Sequence, residues 1–313
     1  MRLAARTCLS IAPLALATAL LARSASAQNP EEAPAPCRAQ VQNALQQLAP
    51  AFVGKVRKVA AKAQGSIEAA IWGYAPPRFH PVDEGKLPAP KPGARCPADM
   101  ALVANRFCVD RYEGSIVIRE ADGTETPHSP YVPPPADKVA LAKSVAGAVP
   151  QAYISAKQAE AACRASGKRL CQPVEWRAAC GGSEGTAFPY GPTRIRGKCH
   201  DSGASPMLTY HAGTMKRGWG REELNDPRNN QLEGTVAKTG AFPDCVTDQG
   251  VYDMVGNLHE WTADTNGTFQ GGYWLDTSQH GDGCAYRTIA HGYEYHDYST
   301  GFRCCADPAV TER

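Results

Sequence analysis

The twelve cysteines of this 313-residue chain constrain its fold more than any other feature, because no two of them are spaced as C-x-x-C. Structural zinc sites need such closely paired ligands, so the pattern does not read as a zinc module. The remaining use for so many cysteines is cross-linking, and disulfides persist outside the cytoplasm. The N-terminus agrees with export. Arg2 and Arg6 precede an apolar run from Ile11 to Leu21, and Ala25-Ser26-Ala27 supplies small residues for cleavage ahead of Gln28. The run is too short for a retained bilayer anchor. Cys8 lies before it and so is no lipid-attachment cysteine at the cleavage point. Cleavage would leave Cys37, Cys96, Cys108, Cys163, Cys171, Cys180, Cys199, Cys245, Cys284, Cys304 and Cys305. That odd set predicts one thiol free or bonded to another chain. The expected location is periplasmic or secreted.

Cleavage would also remove Arg2, Arg6 and Arg23 and no acid, turning the 33 basic and 31 acidic side chains of the whole chain into 30 and 31. A near-neutral chain without basic runs offers no electrostatic case for nucleic acid or for an anionic membrane. No later segment is apolar over the length a membrane helix needs.

Five regions follow from composition and periodicity. Residues 1–27 are the signal segment. Residues 28–73 form a helical segment: Val41, Leu45, Leu48, Phe52, Val56 and Val59 recur at helical spacing, and Ala63, Ile67 and Ile71 continue the stripe. Gly54 and Gly65 predict a break in it. The stripe suits a helix packed on the main domain. It also suits a hairpin or coiled-coil homodimer with Cys37 as an intersubunit disulfide. Residues 74–95, with Pro76, Pro77, Pro81, Pro88, Pro90 and Pro92, read as a linker. The main domain spans 96–308, and 309–313 are a tail. Inside the domain, Ser155 is placed to cap a helix reaching Ala165, and Gln172 to Cys180 reads as a second helix with Pro173 in its first turn. The stretch from Pro127 to Pro150 reads as a surface excursion. The rest, rich in Gly, Asn, Asp, Tyr and Trp, predicts short strands and ordered loops.

Three blocks then bear on family: Gly167-Lys168-Arg169-Leu170 followed by Glu175-Trp176; Gly250 through Trp261, reading GVYDMVGNLHEW; and Gly271-Gly272-Tyr273-Trp274 ending in Gly301-Phe302-Arg303-Cys304. With the opening Phe107-Cys108-Val109-Asp110-Arg111-Tyr112-Glu113, they resemble the formylglycine-generating enzyme (sulfatase-modifying factor) domain over about residues 96–308. The resemblance implies an α+β, C-type-lectin-like fold with little regular secondary structure. It implies disulfides Cys163–Cys304 and Cys180–Cys284. Cys171 and Cys305, each beside that first pair, suggest a third bridge; Cys96 with Cys108 would close a short loop, and Cys199 with Cys245 would join two loops. Cys37 is then left alone.

The family's enzyme oxidises a cysteine using copper held by two cysteines shortly after a Gly-Gly-Ser motif. Here Tyr273 replaces the serine, and Asp276 and Gly281 stand where those cysteines fall. Soft thiolates hold Cu(I), and neither residue replaces them. No catalytic residue is therefore assigned, and copper is not expected. The resemblance further implies a calcium site from the side chains of Asp253 and Glu260 and the carbonyls of Gly256 and Leu258, a set of hard oxygen donors. A second family site would fall near His200–Asp201 and Asn229–Asn230. His259 stands where the family has tryptophan, and with Trp261, Tyr273, Trp274, Asp276 and His280 it would line a cleft for a peptide or small-molecule ligand. His259-Glu260 lacks the second histidine of a zinc protease, since position 263 is Ala263. The late set His291, Glu294, His296 and Asp297 is a further polar cluster. Two functions are expected: an accessory or binding module stabilised by calcium, or a non-heme oxidase with iron or another metal on His and Asp ligands in the cleft.

Overall fold

The computed structural model describes residues 82–289 and 291–310. The signal segment, the helical segment with Cys37, and linker residues 74–81 lie outside the described residues.

Short helices and small sheets make up an α+β domain. Ser155 caps α1 (Ala156–Ala165): its hydroxyl accepts from the Gln158 N–H, and the Gln158 side chain accepts from the Ser155 N–H. This reciprocal box satisfies two otherwise orphan donors. Ala156, Ala159, Ala162 and Cys163 form the buried face of the helix. α2 (Pro173–Gly181) begins on proline, whose missing N–H costs nothing in a first turn. Glu175 reaches back to accept from the Gln172 N–H at 2.9 Å. Both helices stand where the sequence periodicity places them.

Four sheets are formed among the described residues. β1 (Ala94–Arg95) pairs antiparallel with β13 (Ala309–Val310). β2 (Met100–Val103) and β3 (Phe107–Asp110) make a hairpin that β12 (Cys304–Ala306) and then β7 (Arg169–Leu170) extend. β4 (Gly114–Arg119) lies between β5 (Glu125–Pro127) and β6 (Val139–Ser144). The last sheet carries the site. Its order is β10 (Arg287–Thr288), β9 (Phe269–Gln270), β8 (His259–Trp261) and β11 (Thr300–Phe302), with β8 and β11 parallel.

Adjacent residues on a strand point to opposite faces, and β12 uses this directly. Cys304 bonds to Cys163 of α1 within a cluster containing Ile154, Trp261 and Phe302. Cys305 bonds to Cys171 within a second cluster containing Phe107, Val109 and Trp176. Cys96–Cys108, Cys180–Cys284 and Cys199–Cys245 complete five bridges, and every cysteine among the described residues is bonded.

Two features differ from the sequence expectation. The supposed excursion after Pro127 contains β6, which buries Leu141 and Ala142. The prolines end at Pro135 and resume at Pro150, so the intervening segment is free to pair as a strand. The domain also extends past both expected boundaries. β1 belongs to the supposed linker and β13 to the supposed tail. Upstream of β1, the Glu84 carboxylate pairs with Arg177 at 2.6 Å and with Arg287. The Val174 N–H donates to the Glu84 carbonyl, and Leu87 packs on the core.

Candidate functional site

The site grows from the loop that leads into β8. Asp253, Gly256 and Asn257 all adopt left-handed backbone, at φ 59°, 82° and 53°. Only glycine fits at 256, because a Cβ there would stand 2.1 Å from the His200 carbonyl oxygen. The curl turns Asn257 inward. Its amide nitrogen donates to Glu113 Oε2 at 2.6 Å and to the Ala237 carbonyl, and its oxygen accepts from the Ala237 N–H. The Leu258 N–H donates to the other Glu113 oxygen.

β8 then places Glu260 in the interior. Its Oε2 accepts from Trp176 Nε1 at 2.7 Å and from Arg303 Nε at 2.6 Å, and its Oε1 accepts from Arg303 Nη2 at 2.7 Å. Arg303 is fully buried and also donates to the carbonyls of Asp110 and Tyr252. Asp253 accepts from the Gly240 N–H at 2.6 Å. Three buried carboxylates thus face one guanidinium. Burial, with Asp253 and Glu260 nearby, pushes the Glu113 carboxyl well above its usual range. Burial pushes Asp253 up to about 6. In charge and donor chemistry this surplus of hard oxygens fits a divalent cation. Glu260, however, already directs both its oxygens at Arg303 and Trp176. Among the described residues no three His, Cys, Asp or Glu side chains converge on one metal position.

The residue before Glu260, His259, lies in the middle of a hydrogen-bonded chain. Its Nδ1 meets Ser299 Oγ at 3.1 Å and its Nε2 meets the Tyr286 hydroxyl at 3.4 Å. Tyr286 donates to Asp276 Oδ2 at 3.1 Å, and Ser299 Oγ donates to Asp297. The His259 ring packs on Phe269 and Tyr273, at centroid distances of 4.5 and 4.8 Å, and His280 meets Tyr286 edge-on at 5.5 Å. Burial, then the neighbouring His291 and His280, holds the His259 imidazole well below its usual range and hence neutral. His259, Tyr273, Asp276 and His280 are therefore brought together, but around the Tyr286 phenol rather than around a shared vacant point.

Asp276 and Gly281 have specific backbone tasks. Asp276 Oδ1 accepts from the N–H groups of Ser278 and Gln279 and so caps the turn. Gly281 has φ 115°, and a Cβ on it would lie 2.5 Å from the Ala285 carbonyl oxygen.

Trp261 and Trp274 do not line a cleft. Both are fully buried, and their indole N–H groups donate to the carbonyls of Ile154 and Ala204. They fix loops to the core, and the partly exposed residues of the expected set are Tyr273, Asp276 and His280. The late polar cluster also disperses. His291 stacks between Phe269 and Tyr295, Glu294 pairs with Lys157, His296 bonds to Asn225, and Asp297 accepts from Ser299 and Tyr295. Near the second expected calcium position, Asp201 pairs with Arg194, while Asn229 and Asn230 donate to the carbonyls of Glu223 and Tyr298. Sequence reasoning passed over Glu113, Asn257, Tyr286, Ser299 and Arg303 as site residues.

The geometry defines a disulfide-stapled α+β domain in which a glycine-asparagine loop feeds a buried carboxylate–guanidinium centre. Residues 120–308 match the sulfatase-modifying factor enzyme 1-like domain, and the chain belongs to that family. Two curated relatives are similar to it. The inactive C-alpha-formylglycine-generating enzyme 2 of Bos taurus is 29% identical over 137 residues, covering 41% of this chain and 40% of its own. The formylglycine-generating enzyme of Mus musculus is 30% identical over 116 residues, covering 37% of this chain and 27% of its own. The match thus spans well under half of each relative. Among solved structures, the Major Tropism Determinant I1 variant aligns over 71% of this chain and 55% of its own, with 16% identity and TM-score 0.41. CarF aligns over 72% and 98%, with 13% identity and TM-score 0.37.

Proposed function

We propose that this chain is an exported accessory or binding domain of the sulfatase-modifying-factor family that does not generate formylglycine. The observation that carries the proposal is the state of the two positions where the family's copper-binding cysteines fall. Asp276 is a turn cap, and Gly281 has neither the backbone conformation nor the space for a thiol-bearing side chain. All cysteines among the described residues are locked in disulfides. The name of the bovine relative, which includes the word inactive, is compatible with this reading. Five disulfides suit an oxidising compartment, periplasmic or extracellular. Tyr273, Asp276 and His280, each partly exposed, are the residues over which a peptide or small molecule would lie. The C-type-lectin-like assignment of the fold belongs to the same proposal.

Calcium is its expected ion, and binding near Asp253 and Glu260 would require Glu260 to release Arg303 or Trp176. The test incubates the protein with Cu(I), oxygen and a cysteine-containing sulfatase peptide, and analyses the metals of the purified protein. No aldehyde product and calcium alone is the expected result. Aldehyde formation, or stoichiometric iron or copper, would overturn the proposal; bound iron would instead support a metal-dependent oxidase using His and Asp ligands.

A further inference from the structure

The whole-chain charge balance conceals a local segregation. Between residues 185 and 221 the sequence carries Arg194, Arg196, Lys198, Lys216, Arg217 and Arg221 against Asp201, with Glu184 just before the stretch and Glu222 and Glu223 just after it. Arg194 pairs with Asp201 and Arg217 with Glu223. Arg196 and Lys216 are exposed and form no ion pair among the described residues, whereas Lys198 lies over the Tyr190 ring at 5.1 Å and Arg221 Nη2 is 3.5 Å from His296 Nε2. The same stretch displays large apolar side chains to solvent: Ile195 is 47% exposed, Leu208 55%, Tyr210 39% and Met215 52%.

Local structure explains why they project. The segment forms a short helix, α3 (Pro206–Tyr210), and a 3-10 helix, Ala212–Arg217. Met207 and His211 anchor it from below, and the Trp219 indole donates to the His211 carbonyl. With the anchors facing inward, Leu208, Tyr210, Met215 and Lys216 are left outward. The buried anchors account for the fold of the segment; they do not account for apolar residues on its outer side.

We infer that the 194–221 segment docks the domain on an anionic lipid surface, its exposed apolar side chains entering the headgroup region and its unpaired cations meeting lipid phosphates. Interfacial binding of this kind combines apolar burial with attraction to anionic headgroups. Near a charged membrane surface each lysine or arginine contributes substantially, and the attraction falls within a Debye length. The inference is independent of the proposed ligand surface and of any calcium binding.

Vesicle sedimentation tests it. The folded, oxidised full-length protein is mixed with vesicles of phosphatidylcholine alone or with an equal part of phosphatidylglycerol. Sedimentation with the phosphatidylglycerol vesicles only, weakened by salt, is expected. Arg196→Glu with Lys216→Glu should reduce it by about tenfold or more, and Leu208→Ser with Met215→Ser should also reduce it. These four residues are exposed, and circular dichroism should report an unchanged fold. Equal sedimentation with both vesicle types, no sedimentation, or binding that neither double variant alters would overturn the inference. So would retention on an acidic protein column without vesicle binding, since that assigns the surface to a protein partner.

Discussion

Arg303 Nε lies 2.6 Å from Glu260 Oε2 in the interior of the domain, and neither side chain reaches solvent. This contact ties the strand after the Gly-Asn loop to the segment between β11 and β12. Removing one member of a buried ion pair leaves an uncompensated charge and costs about 3–5 kcal/mol. Arg303→Met should lower stability by that amount in urea unfolding. It should be worse than Trp176→Phe, which removes one donor to Glu260 and leaves the guanidinium in place.

The two bridges of β12 should be non-additive. Cys163 and Cys171 are eight positions apart, and their partners Cys304 and Cys305 are neighbours. With either bridge intact, the other closes a loop of about ten residues, so losing one costs about 3 kcal/mol. Once both are gone, the nearest remaining link is Cys180–Cys284, and the loop released is about thirty residues. Replacing all four cysteines by serine should therefore cost more than twice a single pair in the same unfolding assay.

Restoring cysteines to the family's positions should fail. Gly281→Cys places a Cβ against the Ala285 carbonyl on a left-handed backbone, and such strain costs about 1–3 kcal/mol. The double variant Asp276→Cys, Gly281→Cys should melt lower than wild type and retain no Cu(I) after dialysis. Copper retention at wild-type melting temperature would show that the loop accepts a thiolate pair.

His291 gives the domain an acid-sensitive component. Burial, then His280, holds its imidazole down at about 4, against about 6.5 in an unfolded chain. The folded state therefore prefers the neutral ring. Its contribution is fully present above pH 6.5 and is lost as pH falls from there toward 4. His291→Phe keeps an aromatic surface against Phe269 and Tyr295 and removes the titration. Its melting temperature should fall less than that of wild type between pH 7 and pH 4.

What was legible in the sequence was mostly local. Ser155 announces a helix start, and the structure adds Gln158 as its reciprocal partner. Gly256 before Asn257 announces a tight curl, because only glycine tolerates the His200 carbonyl so near. The contacts that make the site were not legible, since Arg303 reaches Glu260 across 43 positions and Asn257 reaches Glu113 across 144. Tryptophans illustrate the same limit. Trp261 and Trp274 have the composition of a ligand cleft, and only the three-dimensional packing shows that they are interior. β6 was hidden by its proline-rich flanks, whose composition outweighed the short Val139–Ser144 run between them.

The pairing of Ala94–Arg95 with Ala309–Val310 has a mechanical consequence. The strands run antiparallel, with Ala94 opposite Val310, so the two ends of this ladder lie side by side. A force applied at Ala94 and Val310 loads this short ladder first and opens it rung by rung, as a zipper opens, whereas a pull from farther upstream must first free Glu84 and Leu87. The disulfide-linked interior beyond it would carry no tension until the ladder had parted.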